Sequence, residues 1–201
     1  MNRSQNQYKI YRLSGEEGRP FVNALAELRL KIFWEYPYLY EGNLNYEKKY
    51  LETYFKSKNS FILLLKDHEK FIGATTGIWA EDESVEFKSP YEHHGLDPKK
   101  IFYFGESVLL SEYRGKGLGK LFFEERERFA RALGHIQHLS FCAVVRPDDH
   151  VLRPQNYRPL DEFWKSQGFH VVPNLTTSYM WKDRDLNSET EKQMQYWIKS
   201  I

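Results

Sequence analysis

The stretch Phe102-Tyr-Phe-Gly-Glu-Ser-Val-Leu-Leu-Ser-Glu-Tyr-Arg-Gly-Lys-Gly-Leu-Gly-Lys120 decides the fold of this 201-residue chain. An apolar, aromatic run over residues 101–110 predicts a largely buried strand, and a short polar turn follows it. A helical pattern then begins at Leu118, with apolar residues on one side, and ends at Gly134. The sequence therefore predicts a buried strand, a glycine-rich turn and a helix N-terminus in direct succession.

The glycine-rich turn has the chemistry of an anion site. The first amides of a helix have no internal partners, and the helix dipole adds positive potential there. Glycines remove side chains that would keep a phosphate away from those amides, and basic residues surround the same point. The residues concerned are Arg114, Gly115, Lys116, Gly117, Leu118, Gly119 and Lys120. The turn is therefore predicted to bind phosphate.

Two common phosphate loops do not match this turn. A Walker loop has four residues between its first glycine and Gly-Lys-Ser/Thr, but here Arg114 stands at the place of that first glycine and Leu121 follows Lys120. A dinucleotide fingerprint needs a third glycine three residues after the second, and Lys120 or Phe122 stands there instead. Both of these nucleotide-binding motifs are excluded.

Composition predicts one globular enzyme-sized domain over residues 1–201. The 29 Lys and Arg residues against 28 Asp and Glu give a net charge of +1, which argues against nucleic acid or a membrane as the main partner. Residues 1–7 lack the apolar core of a signal peptide, and no apolar run approaches a membrane span. The single cysteine, Cys142, excludes an internal disulfide, so we expect a reduced, cytoplasmic protein.

The order of elements predicts an α/β (α+β) protein with a mixed sheet. Expected strands cover residues 8–13, 60–65, 70–79, 101–110 and 138–145, and expected helices cover 21–36, 46–55, 118–133 and 160–168. A closing hairpin is expected at 169–172 and 177–182. The core would then end near residue 182, and residues 183–201 would add an amphipathic C-terminal helix carrying Met194, Trp197, Ile198 and Ile201. Its apolar face would suit a homodimer.

The insertion at residues 81–96 contains acidic residues and two histidines whose roles need to be considered. The acidic start of the insertion at residues 81–96 would attract a cationic amine, or it is simply a solvated loop. His93 and His94 lie near Asp97, but adjacent histidines generally cannot both reach one ion without a strained loop, so we expect no metal site.

The pattern Arg114-x-x-Gly117-x-Gly119 resembles the acyl-CoA pyrophosphate loop of the GNAT superfamily of N-acetyltransferases, Gln/Arg-x-x-Gly-x-Gly/Ala, placed directly after a buried strand. The run Phe163-Trp-Lys-Ser-Gln-Gly-Phe169 resembles the late signature of that superfamily. The order of elements matches as well, so the resemblance covers residues 8–181. It implies a GNAT fold in which the two central parallel strands splay apart.

The resemblance also implies a reaction and a cofactor. Acetyl-CoA would be the cosubstrate, with its pantetheine arm on the backbone of Val108, Leu109 and Leu110 and its pyrophosphate on the amides of residues 115–120. A primary amine of a small-molecule or peptide acceptor would attack the thioester directly in a ternary complex. A lysine-like amine, with a pKa of ~10.4, must first lose a proton. Glu106 is the implied general base, and its other reading is a hydrogen-bonded polar residue at the splay.

The general acid is less clearly marked. Relatives often place a tyrosine at the position held here by Trp164, and an indole cannot supply a proton. Tyr157 is the nearest substitute, with Tyr179 behind it. The arginines at 146, 153 and 158 would hold cofactor phosphates or an anionic substrate group, or would pair with the aspartates at 148, 149 and 161.

The aromatic segment 34–42 would be either a core lid or a wall of the acceptor pocket, as in GNAT relatives. Two other classes of function stay open: a non-catalytic acyl-CoA sensor of the same fold, and a domain that binds a phosphate ligand unrelated to CoA. The acceptor, the acyl-chain preference and the oligomeric state are not determined by the sequence.

Overall fold

A seven-stranded mixed sheet forms the centre of the computed structural model, which describes residues 7–201. The strands are β1 (Lys9–Leu13), β2 (Ser60–Asp67), β3 (Lys70–Trp79), β4 (Ile101–Leu109), β5 (His138–Val144), β6 (His170–Lys182) and β7 (Glu189–Ser200). Their order across the sheet is β1-β2-β3-β4-β5-β7-β6. Only the β4–β5 pair is parallel among the strand pairs in residues 7–201. The predicted mixed α/β class and the antiparallel β2–β3 hairpin are confirmed.

In the described part of the chain, five α-helices cover the two faces of the sheet: α1 (Val22–Phe33), α2 (Leu44–Lys56), α3 (Val85–His93), α4 (Leu118–Ala132) and α5 (Asp161–Ser166). Neighbouring residues of β5 show the two layers, because side chains alternate along a strand. Ser140 accepts a hydrogen bond from Tyr91 of α3 at 2.9 Å, whereas the Phe141 ring packs 5.0 Å from Trp164 of α5. Helices α1, α2 and α3 therefore share one face, and α4 and α5 share the other.

Helix α3 lies in the insertion, where the sequence pattern showed no helix. The Ser84 side chain caps it by accepting a hydrogen bond from the Phe87 amide at 3.2 Å. Tyr91 anchors it, since its ring is fully buried and packs 4.9 Å from the Tyr196 ring. None of the helices in residues 7–201 is both long enough and apolar enough to cross a lipid bilayer.

Strands β4 and β5 diverge after a short parallel contact. They pair only at Ile101↔His138, Phe102↔Leu139 and Tyr103↔Ser140. Beyond Tyr103 the two strands separate, which leaves a gap in the middle of the sheet. The expected splay of the two central parallel strands is confirmed.

The expected C-terminal helix is wrong, because residues Glu189–Ser200 form strand β7 between β5 and β6. The spacing of Met194, Trp197, Ile198 and Ile201 fits a helix. However, Lys192, Met194, Tyr196 and Ile198 are also buried with a period of two, and Trp197 packs against α5 on the other face. When a strand is buried on both faces, apolar residues occur on both sides of it, so its sequence does not show the alternation of polar and apolar residues that marks a half-buried strand.

This correction changes two other expectations. Residues 169–172 and 177–182 do not form a hairpin with each other, because they belong to one strand, β6, which pairs with β7. An irregularity between Val171 and Thr176 accounts for the break that the sequence suggested. The apolar face that suited a dimer is inside the sheet, so that reason for a homodimer is lost. Residues 1–6, where no signal peptide is expected, lie outside the described residues.

Candidate active site

The turn between β4 and α4 has the backbone geometry that the predicted anion cradle needs. Gly115 and Gly117 adopt positive φ angles of 74° and 81°, and Gly117 is the N-cap of α4. The first backbone hydrogen bond of the helix runs from the Leu121 amide to the Gly117 carbonyl at 3.1 Å. The amides of residues 118–120 therefore face out of the helix N-terminus without an intrahelical acceptor. A Cβ on Gly115 or Gly117 would meet nothing within 4 Å in residues 7–201, so the cradle is open.

The basic side chains around this cradle have different roles. Arg114 turns back and donates from Nε to the Leu109 carbonyl at 3.0 Å, and its Nη2 pairs with Glu35 at 2.8 Å. Lys116 lies over the Tyr113 ring at 4.9 Å and is exposed. Arg114 thus braces the turn against the end of β4, while Lys116 leaves its charge at the mouth of the cradle.

The end of β4 presents backbone groups to the gap. The Leu110 amide donates to the Ile72 carbonyl on the β3 side at 2.9 Å, and the Leu110 carbonyl accepts from the Tyr113 amide at 2.9 Å. Because adjacent residues of a strand point their backbone groups in opposite directions, those of Leu109 face the gap and those of Val108 face β3. Of the three residues expected to contact pantetheine, Leu109 has the geometry to do so directly.

A bulge in β4 places Glu106. Thr76 of β3 faces both Gly105 and Glu106 of β4, since the flanking pairs are Thr75↔Ser107 and Gly77↔Phe104. Only glycine fits at position 105, because a Cβ there would lie 2.0 Å from the hydroxyl of Tyr54. The extra residue breaks the alternation of the strand, which changes the face on which Glu106 lies.

The faces on either side of the bulge confirm this shift. Phe104 packs under the Arg126 guanidinium of α4 at 3.9 Å, and Ser107 accepts from Arg126 Nη2 at 2.9 Å. Regular alternation would place residue 106 on the same side as residue 104. Instead, the Glu106 carboxylate points to the opposite face and contacts Arg29 of α1.

The Glu106 carboxylate is buried, with a side-chain exposure of 1%, and it has one paired oxygen. Its Oε2 accepts from Arg29 Nη1 at 2.5 Å. Within residues 7–201, its Oε1 and the Thr76 hydroxyl have no hydrogen-bond partner of regular geometry. Burial raises the pKa of the Glu106 carboxyl, while the Arg29 charge and the nearby Thr76 hydroxyl lower it in part. The Glu106 carboxyl therefore has a raised pKa, and its Oε1, which Arg29 does not hold, is the oxygen that could accept a proton.

Arg29 belongs to a buried network of hydrogen bonds and ion pairs that was not predicted from the sequence. Its Nε donates to Glu47 Oε2, and Glu47 Oε1 accepts from the Tyr40 hydroxyl at 2.8 Å. The guanidinium also lies 4.2 Å from the centre of the Tyr50 ring. The available signal was charge on an apolar helix face, since Arg29 and Glu47 stand at core positions of α1 and α2.

The aromatic segment 34–42 has features of both expected roles. Leu39 is fully buried, and Arg146 fixes the segment by donating to the carbonyls of Pro37 and Tyr38, each at 2.7 Å. The Tyr36 ring meets, edge-on and at 4.6 Å, the ring of Tyr157, which lies in the loop between β5 and α5. One side of the segment is therefore core, and the other forms an aromatic wall with Tyr157.

The loop arginines have different partners. Arg146 is buried and pairs with Asp183, rather than with any of the three expected aspartates, at 2.7 Å. Arg153 pairs with Asp148, as one reading expected, and its guanidinium lies 5.6 Å from the Tyr157 ring centre. Arg158 is exposed. Arg146 is thus a structural brace.

The candidate proton donors occupy separate places. Trp164 is partly buried and packs against the core, with its ring 5.0 Å from that of Phe141 and 5.1 Å from that of Trp197. Burial raises the pKa of Tyr157, so its hydroxyl holds its proton at neutral pH. Glu112, the other carboxylate near the end of β4, lies in an exposed turn, where its hydrogen bond with Lys70 lowers its pKa to about 2.

The acidic insertion is partly neutralised. Lys88 lies 3.8 Å from Glu81, and Asp82 accepts from the Ser57 hydroxyl. Burial raises the pKa of Glu83, and the Glu106 charge adds to this rise. Within residues 7–201, no group of three or more His, Cys, Asp or Glu side chains is arranged to hold a metal ion.

The splay between β4 and β5, with a glycine turn and a helix N-terminus after β4, is the arrangement that the resemblance to the GNAT superfamily implied. The model of the acetyltransferase (GNAT) family matches residues 27–153, well over half of the chain. The chain therefore belongs to the GNAT acetyltransferase family. No protein of established function among the curated sequences matches it.

Solved structures with the same fold cover nearly the whole chain. The ribosomal-protein-alanine N-acetyltransferase from Brucella melitensis is 13% identical over 96% of this chain and 99% of its own, with a TM-score of 0.60. NAA60 from Arabidopsis thaliana, solved with a bisubstrate analogue, is 11% identical over 96% and 98%, with a TM-score of 0.60. An acetyltransferase from Streptococcus agalactiae is 15% identical over 97% and 99%, with a TM-score of 0.59. At these identities the likeness establishes the fold alone.

Proposed function

We propose that this chain transfers the acetyl group of acetyl-CoA to the primary amine of a small-molecule or peptide acceptor, by direct attack in a ternary complex. The observation that carries the proposal is the free oxygen of Glu106. It lies on the bulge of β4, the strand that also leads into the anion cradle. A proton acceptor and an anion cradle are thus held on one continuous strand, turn and helix.

The residues present fit acetyl-CoA as cosubstrate. The amides of residues 118–120 and the open space at Gly115 and Gly117 suit a pyrophosphate, and Lys116 adds positive charge. The backbone groups of Leu109 suit the amides of pantetheine. Acetyl-CoA supplies the activated acyl group when it is bound.

The proton and bond changes balance with the residues described. Glu106 takes one proton from the acceptor ammonium, directly or through water, and the freed nitrogen forms a bond to the acyl carbon as the carbon–sulfur bond breaks. The nitrogen loses its second proton to water as it becomes the amide nitrogen, and this proton balances the one that the released thiolate takes up. The thiol of the released CoA has a pKa of ~8.5, so departure of its thiolate depends only slightly on a general acid. We assign Tyr157 as the proton donor, because its hydroxyl is protonated and its ring lines the wall next to Tyr36.

An amine acceptor is supported by the relatives and by the site. The Brucella melitensis protein is named for the alanine of a ribosomal protein, and this supports a peptide amine for the present chain. The aromatic wall of Tyr36 and Tyr157 suits an acceptor with an apolar part. We place the reaction in the cytoplasm, which is consistent with a buried free thiol at Cys142.

The proposal is tested with a panel of amines and peptides, acetyl-CoA and a reagent that detects free thiol. Thiol release that depends on both substrates, and that is lost in Glu106→Gln, would support it. Binding of acetyl-CoA without turnover of any amine would favour the sensor alternative, which the packed Trp164 allows. Indifference to every acyl-CoA would favour an unrelated phosphate ligand.

A further inference from the structure

We propose that Arg29 is a positioning residue for Glu106: held by Glu47 and Tyr40, its guanidinium fixes the carboxylate and sets the pH at which the free oxygen accepts a proton. This inference rests on the proposed role of Glu106 as general base. It assigns a function to a buried ion-pair network outside the cofactor cradle.

The contacts leave Arg29 little freedom. Its Nη1 donates to Glu106 and its Nε to Glu47, so two edges of the planar guanidinium are bound to two carboxylates. The rings of Tyr50 and Phe33 lie 4.2 and 5.0 Å from the guanidinium carbon. The side chain is 9% exposed. A guanidinium fixed in this way holds Oε2 of Glu106 and leaves Oε1 free.

The charges of the network oppose each other at Glu106. Arg29 is shared between two carboxylates, so its positive charge stabilises the ionised form of Glu106 while the negative charge of Glu47 disfavours it. Burial of the group makes both effects stronger than they would be at the surface. Arg29 and Glu47 are therefore expected to move the pKa of Glu106 in opposite directions.

Other titratable groups interact with Glu106 through their charge. They are Tyr38 of the aromatic segment, Tyr50 and Tyr54 of α2, Glu83 before α3 and, from the opposite face of β4, Arg126 of α4. Burial keeps the pKa values of the three tyrosines raised, so they are neutral near pH 7. Arg126 donates to the backbone carbonyl of Glu106 at 3.3 Å, whereas Arg29 contacts the carboxylate itself. Arg29 is thus the positive group placed to control the carboxylate.

The far end of the network lies in the aromatic segment. Tyr40, which donates to Glu47, forms a bridge with Asp183 and donates its amide to the Phe33 carbonyl at 2.7 Å. The network therefore links the carboxylate of Glu106 to the same segment that carries Tyr36. Ordering of that segment and orientation of the base are coupled through Tyr40, Glu47 and Arg29.

The test measures the pKa of Glu106 directly, so it needs no acceptor. The protein is labelled with glutamate carrying ¹³C at the side-chain carboxyl, and the Glu106 signal is identified as the one absent from Glu106→Gln. With Arg29→Met, the pKa of Glu106 should rise by about one pH unit or more, since loss of a neighbouring opposite charge has this size of effect. With Glu47→Gln, which keeps the shape of the side chain, the pKa should fall.

Arg12→Met is the matched control. Arg12 forms two hydrogen bonds of 2.8 Å with Glu125, a buried carboxylate on α4, so this variant also breaks an ion pair. It should leave the pKa of Glu106 unchanged. If Arg29→Met does not fold, the expected fall in the pKa of Glu106 in Glu47→Gln tests the inference instead.

The inference is overturned if folded Glu47→Gln keeps the wild-type pKa at Glu106, or if both network variants move it in the same direction. Failure of the proposed function is seen separately. If Glu106→Gln keeps its amine-dependent thiol release, the base is another residue, whatever the titrations show. If Glu106→Gln is inactive while the network variants titrate like wild type, only the role of Arg29 is wrong.

Discussion

Replacing Gly119 by glutamate separates anion binding from folding, because the structure tolerates a side chain there. Gly119 is the second residue of α4 and has no left-handed φ, and an added Cβ would meet only the Phe163 ring at 3.7 Å, an ordinary contact. Gly117, with φ at 81°, would be strained by any other residue. Position 119 is therefore the better place to test the cradle.

The expected effect on the free protein is a gain in stability. Replacing a helical glycine by glutamate is worth about 0.5 kcal/mol in helix propensity. A carboxylate in the first turn adds about 0.3–1 kcal/mol through the helix dipole. Together these raise the melting temperature by about 2–6 °C for a chain of this length.

The expected effect on the complex is the opposite. Acetyl-CoA at 100 times its dissociation constant adds about 2.7 kcal/mol to the wild-type protein. That corresponds to a rise of about 5–10 °C in its melting temperature. The carboxylate that Gly119→Glu introduces would compete for the amides and repel the pyrophosphate, so this ligand-induced rise should disappear.

Thermal unfolding with and without acetyl-CoA measures both effects, and Gly119→Gln is the control, since it adds the same bulk without charge. The glutamine variant should keep more of the ligand-induced rise than the glutamate variant. A folded Gly119→Glu protein that acetyl-CoA stabilises as much as wild type would refute the assignment of the cradle.

Three other outcomes are expected. Glu106→Gln should lower kcat by about 10²–10⁴-fold and remove the acidic limb of the pH–rate profile. In the wild-type protein this limb should lie above the ordinary pH range for glutamate, because burial raises the pKa of Glu106. Glu112→Gln should keep the limb, and its loss in that variant would contradict the assignment of Glu106. Gly105→Ala should cost about 1–3 kcal/mol in denaturant unfolding through its clash with Tyr54, and Tyr54→Phe should recover part of that cost; equal stability of Gly105→Ala and wild type would disprove the tight bulge. Arg146→Met should destabilise the protein by about 3 kcal/mol and speed amide exchange in residues 38–42, because it removes the brace of the aromatic segment; unchanged exchange there would exclude this bracing role.

The C-terminal strand shows where local patterns mislead. The positions of Met194, Trp197, Ile198 and Ile201 satisfy a helical period, and those of Met194, Tyr196 and Ile198 satisfy a strand period. The strand is favoured over the helix because β7 pairs with β5 on one side and with β6 on the other, and these pairings satisfy its backbone hydrogen-bonding groups.

The buried network was invisible for a related reason. Glu47 and Glu106 lie 18 and 77 residues from Arg29 along the chain. The core positions of Arg29 on α1 and Glu47 on α2 could have been noticed from the sequence. The contact of this pair with Glu106, however, depends on the bulge of β4 opposite Thr76 and on the packing of α1 and α2 against β4. No spacing rule connects side chains that three different elements bring together.

The sequence by itself determined what depends on neighbours along the chain. The strand, the glycine turn and the helix from Ile101 to Ala132 follow from local periodicity and from glycine at positive φ, so the anion cradle and the family could be predicted. Tertiary structure alone decided which face Glu106 occupies, which charge holds it and that the chain ends as a strand inside the sheet. These features depend on burial and on hydrogen bonds between distant segments, and both exist only once the chain has folded.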